Sequence, residues 1–70
     1  MKPKLLDVIA LLEDIPEHSL VRGQVGTLVE DLSEDVFEVE FSDNNGVAHT
    51  LIPLSSKQFL VLYYDKIKVA

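Results

Sequence analysis

No cysteine occurs among the 70 residues of this chain. That excludes a disulfide framework and a thiolate metal site, so no covalent staple supports what must be a small core. Basic residues are missing from one long interval. Between Arg22 and Lys57 there is no Lys or Arg, while Glu30, Asp31, Glu34, Asp35, Glu38, Glu40 and Asp43 all fall inside it. The net charge of −6 is thus unevenly placed, and this stretch repels phosphate backbones and attracts a basic partner. The plainer consequence of the same charge is solubility, since charged runs commonly mark a solvated face. Long apolar runs are missing too: none approaches the ~18 residues of a membrane helix. Lys2 to Leu12 also lacks the cleavage pattern of a signal peptide, so a cytoplasmic protein without a membrane span is expected.

A chain of this length is expected to form one domain, 1–70, with a core from about residue 5 to 62 and a tail over 63–70. Hydrophobic residues make up 47% of it. A core of this size contributes only ~3–5 kcal/mol, so either it packs efficiently, as in a small barrel, or a partner shares the burden of stability.

The stretch from Arg22 to Phe41 organises the rest. Phe37, Val39 and Phe41 alternate with Glu38 and Glu40, which predicts a strand with one apolar and one anionic face. Gly23 and Gly26 punctuate the strand before it, Gln24 to Leu32, where a barrel strand bends or admits another backbone. In that strand Val25, Leu28, Val29 and Leu32 fit no single alternation. Ser33 to Asp35 makes a turn into a third strand, Val36 to Ser42. Asp43-Asn44-Asn45-Gly46 then supplies the positive-φ positions of a tight hairpin turn. A fourth strand, Val47 to Ile52, is expected to end at Pro53, and Pro53 to Lys57 fits one turn of 3₁₀ helix. Gln58 to Leu62 reads as a fifth strand, and the tail is either an added edge strand or frayed.

The N-terminal segment is ambiguous. Leu5, Val8, Ile9, Leu12 and Ile15 match a helical stripe, whereas VIALL is also an apolar run of strand length. We read Asp7 to Glu13 as a strand because a five-stranded barrel requires it, and Ile15 to Arg22 as a loop. The expected architecture is all-β: a small five-stranded SH3-like barrel with a 3₁₀ turn before the last strand, its closure removing most of the exposed edge.

The residues offer little catalytic chemistry. Nucleophilic acyl transfer needs an activated Ser, Cys or Thr beside an oriented base, and the two histidines, His18 and His49, stand in a polar loop and a predicted strand. Glu38 and Glu40 share a face, but that face is the outside of the hairpin, away from any pocket where one carboxyl could be kept protonated. No catalytic residue is therefore assigned, and no enzyme is expected. Asp43-Asn44-Asn45-Gly46 fails as a calcium loop: Gly46 is fourth instead of sixth, and Leu54 stands where the bidentate Glu belongs. Zinc lacks a third ligand at metal spacing, and Gly23-x-x-Gly26 lacks the Lys and Ser or Thr of a phosphate loop. No metal and no cofactor is expected.

Arg22-Gly23-Gln24-Val25-Gly26 resembles the start of a KOW motif, found in RNA-associated SH3-like barrels. Stacking platforms need exposed aromatics beside basic residues, and here only the tail combines Tyr63 and Tyr64 with Lys66 and Lys68, so nucleic-acid binding is not expected. VGTLVE followed by VFEVEF is similar to the small SH3-like subunit on the stromal side of photosystem I, without the basic patches that subunit would use for docking. Over Leu5 to Leu62 the chain resembles a family of small bacterial proteins known as domain of unknown function 4926. LLDVIALLEDIPEHSL, RGQVGTLVE, VFEVEFSDNNG and the closing FLVL carry that resemblance. It implies no catalytic residues. It does imply small companions encoded beside a second short reading frame, as in toxin–antitoxin or immunity pairs.

Two functions are carried forward. The first is a non-enzymatic protein-binding module of the antitoxin or immunity type. In it Glu30, Asp31, Glu34, Asp35, Glu38, Glu40 and Asp43 steer a basic partner, with Tyr63 and Tyr64 as anchors. The second is a structural or accessory module in a larger assembly, or a homodimer that pairs through its C-terminal segment.

Overall fold

The computed structural model describes residues 2–42 and 49–63. They form five antiparallel strands in one sheet: β1 (Val8–Leu11), β2 (Val25–Ser33), β3 (Val36–Ser42), β4 (His49–Ser55) and β5 (Phe59–Leu62). Their order across the sheet is β4-β3-β2-β1-β5. One-turn 3₁₀ helices lie at Pro16–His18 and, before the last strand, at Ser56–Gln58. The turn expected over 43–46 and the tail after Tyr63 lie outside the described residues.

β3 has the bounds its alternation predicts. Phe37, Val39 and Phe41 are buried and Glu38 and Glu40 lie on the other face. It pairs with β4 from Val36↔Ser55 to Ser42↔His49 without a break. β2 shows why no single alternation fits it. Its ladder with β3 slips twice, between Leu28 and Glu30 and between Asp31 and Ser33. Each slip places two β2 residues against one of β3, so the inward side changes parity along the strand. Gly26 and Leu28 are buried on one side of the first slip, and Val29 and Glu30 are both exposed beyond it.

The sheet curls tightly. β3 and β5 are three inter-strand steps apart, which in a flat sheet is ~14 Å. Yet the rings of Phe37 and Phe59 meet edge to face with centroids 6.0 Å apart. The concave side thus closes on one core of Ile9, Leu11, Ile15, Leu20, Leu28, Phe37, Val39, Phe41, Ile52, Leu54 and Phe59. The expected closure needs correcting: β4 and β5 are the two edges of the sheet and among the described residues no ladder joins them, so the sheet is open and barrel-like. The 3₁₀ turn carries the chain from one edge to the other. A capping box holds it, with the Ser55 hydroxyl accepting from the Lys57 amide at 3.2 Å and the Gln58 side-chain oxygen accepting from the Ser55 amide at 2.9 Å.

Other boundaries differ for local reasons. β1 is a strand, as read, but only four residues long. β4 runs through Pro53 instead of ending at it; at an edge, the amide a proline lacks can face away from the ladder. Gly23 lies outside β2, in a turn closed by the Gln24 amide on the Val21 carbonyl at 3.0 Å, where its φ of +88° suits glycine. The segment read as a loop after Ile15 contributes to the core. Ile15 and Leu20 bond each other's backbone at 2.9 and 3.1 Å around the Pro16–His18 turn, and both are buried.

Candidate functional site

The acidic residues singled out in the sequence fall into two groups. On the convex face, Glu38 and Glu40 project from β3. The first register slip of β2 sets Glu30 directly opposite Glu38. At the hairpin tip, Asp31, Glu34 and Asp35 instead line a cleft with Lys2, Pro3 and Phe37. Asp31 reaches that side because it pairs with the inward-pointing Phe37. The interval therefore does not form one continuous acidic face. Asp43 and Tyr64 lie outside the described residues.

Of these acids, Glu40 has a basic side chain beside it. The Glu40 carboxylate stands 3.5 Å from His49 Nδ1, which also lies 3.2 Å from the Ser42 hydroxyl across the β3–β4 ladder. Asp7, by contrast, is engaged by Lys4, at 3.7 Å through the ammonium and 3.0 Å through the backbone amide. Among the described residues, Glu30, Asp31, Glu34 and Glu38 have no Lys, Arg or His within ion-pair distance. Like charges directly opposite on neighbouring strands destabilise a sheet, so the Glu30–Glu38 pair is held at a cost.

Tyr63 follows β5 and is exposed. It lines a shallow cleft with Pro3, Ser56, Phe59, Leu60 and Val61. Pro3 also borders the cleft at the hairpin tip, so Tyr63 neighbours the second acidic group and is separated from Glu38 and Glu40 by the width of β1 and β2. Asp35 has a structural engagement as well: its carboxylate accepts a hydrogen bond from the Ser56 hydroxyl, and its carbonyl accepts the Ser56 amide at 3.1 Å.

His18 lines a surface groove beside Phe41 and Thr50, and His49 has the partners named above. Among the described residues no three His, Asp or Glu side chains are grouped to hold a metal ion, and no helix is long and apolar enough to cross a membrane.

One feature escaped sequence reading. The convex face of β1 and its two neighbours is apolar except at Thr27, which pairs with Val8. The register Ala10↔Val25 and Ala10↔Leu60, with Val8↔Leu62 alongside, sets five hydrophobic side chains on the side opposite the core. Val25 and Leu60 are 53% and 55% exposed. The available signal was VIAL itself, a strand apolar at every position even though only alternate residues are buried.

No curated protein and no solved structure matches the chain. A family model does: the domain of unknown function 4926 (DUF4926) matches residues 5–61, from the turn before β1 almost to the end of β5. The match spans all five strands, both clefts' strand walls and the acidic hairpin, and the chain belongs to this family.

Proposed function

We propose that this chain is a non-enzymatic protein-binding module of the antitoxin or immunity type, acting in the cytoplasm, whose acidic hairpin binds and neutralises a basic partner. The observation that carries the reading is the direct apposition of Glu30 and Glu38, with no cation near either among the described residues. A sheet that holds like charges in register loses stability by it, and lysine or arginine from a partner would offset the repulsion. Charges so placed raise the association rate and select the partner, while affinity rests on desolvated anchors. Exposed Tyr63 is the proposed anchor beside the tip acids Asp31, Glu34 and Asp35, and Tyr64, next in sequence, is the second; Asp43 extends the acidic sequence beyond β3.

The test is capture by the tagged protein from its native host at low salt and again at high salt, beside a variant carrying Glu30→Lys, Glu38→Lys and Glu40→Lys. A basic protein held at low salt, weakened by screening and lost in the variant is expected. The purified partner's toxic activity should then fall on addition of the wild-type chain. Identical capture by both forms would refute the acidic-face reading.

A second reading, a self-associating structural module, draws on β5. This edge strand is apolar throughout, with neither the proline nor the charge that commonly blunts an edge. A dimer that becomes monomeric on removal of residues 63–70 would favour it.

A further inference from the structure

We infer that the convex face of the β2–β1–β5 half of the sheet is a docking surface for an amphipathic helix of a basic protein. The inference rests on the reading above in taking the partner as basic; it adds a second anchoring surface, beside the Tyr63 cleft, and the shape of partner that fits it. The surface is built by register. Val25, Ala10 and Leu60 form one cross-strand row, and Val8 and Leu62 lie in the next. All five are apolar, lie in three adjacent strands, and face away from a core that is already filled by Ile9, Leu11 and Phe59 from two of those strands. Exposed apolar surface that is contiguous, instead of scattered, marks interaction sites.

The dimensions and the charge identify the occupant. Three adjacent strands span ~10 Å between the outer two, close to the ~10 Å diameter of a helix with its side chains. Continuing the second row from Val8 leads to Thr27 on β2 and then to Glu40 on β3, with Glu38 two residues further along that strand and Glu30 opposite it. Among the described residues, a helix seated over Val8 and Ala10 therefore has carboxylates along the β3 flank. Lysine or arginine on that flank would reach them, and their aliphatic stems would cover Thr27. A second copy of this chain brings the same carboxylates and another net charge of −6 to the contact, which opposes pairing by this face.

The experiment uses the full chain and a fluorescein-labelled peptide of leucine and lysine, about five helical turns long, with its leucines on one face. Two control peptides replace lysine by glutamate or leucine by serine. Anisotropy titrations are run on wild type, on Val25→Asp with Leu60→Asp, and on Val25→Thr with Leu60→Thr, which keeps strand propensity. Circular dichroism confirms that each variant is folded. The wild type should bind the leucine–lysine peptide at least tenfold more tightly than either control. The aspartate variant should lose at least tenfold even though its added charge favours lysine, and the threonine variant should lose severalfold. Unchanged binding in both variants overturns the proposal. So does a wild-type dimer in sedimentation equilibrium that becomes monomeric in these variants, because a second copy would then be the occupant. A loss at Val25 and Leu60 with no effect of Glu38→Lys and Glu40→Lys supports the apolar site and overturns the charge-led function instead.

Discussion

Replacing Gly26 by alanine tests how closely the sheet packs on itself. A Cβ at this position would lie 2.7 and 2.8 Å from two carbons of the Phe41 ring and 2.9 Å from the Glu40 carbonyl oxygen. The ring cannot easily turn away, since Phe41 is 2% exposed and enclosed by the core. The carbonyl belongs to β3 backbone, fixed by ladders with both β2 and β4. β2 cannot retreat either, because Gly26 itself pairs with Ile9 of β1. Overpacking of this kind costs ~1–3 kcal/mol, and three contacts with one on backbone argue for the upper end. Lower unfolded-state entropy returns ~0.4–1 kcal/mol. The net loss is thus ~2 kcal/mol, a large share of the ~3–5 kcal/mol a core of this size supplies, and lowers Tm by ~8–16 °C. Urea unfolding followed by circular dichroism should show a lower midpoint at constant slope. In a Phe41→Leu background the same substitution should cost at least ~0.5 kcal/mol less, because the ring contacts are gone. An alanine variant as stable as wild type would refute the packing argument.

Three further outcomes follow from the described residues. Glu38→Thr should raise stability by ~0.2–1 kcal/mol, by removing the repulsion across from Glu30 and adding strand propensity; the gain should shrink at high salt in a thermal melt. Leu6 sits at φ +72° and is 76% exposed. Glycine there should stabilise by ~0.5–1 kcal/mol, the left-handed penalty of ~1–2 kcal/mol less the added chain entropy, and a fall in urea midpoint would show that the leucine makes a contact worth more than its strain. Ser55→Ala should cost ~0.5–2 kcal/mol by uncapping the turn between β4 and β5, and an unchanged midpoint would show that the cap is dispensable.

Legibility varied with how clearly each strand's two faces differ in polarity. β3 could be read to its ends because buried phenylalanine and valine alternate with glutamate. β1 could not, since its convex residues Val8 and Ala10 are as apolar as its buried Ile9 and Leu11; the property that blurred the strand is the one that makes the proposed docking surface. β2 was blurred by its two slips, each of which reverses parity without changing composition. Ile15 and Leu20 were read as loop because the pattern between them is polar, although the bridge that buries both is a backbone pairing. Of the candidate site, the sequence showed that the acids cluster but not that Asp31 turns to the core side while Glu30 faces Glu38.

Local chemistry was enough to determine the all-β class, the β3 strand, the absence of a disulfide and the segregation of charge, because each follows from residue type and short-range spacing. The tertiary structure decided which strands neighbour one another, how tightly the sheet curls to bring Phe37 to Phe59, and how the convex face divides between carboxylates and apolar side chains. These depend on register between segments far apart in the chain, and a slip of one residue in β2 moves a side chain from the core to the opposite face.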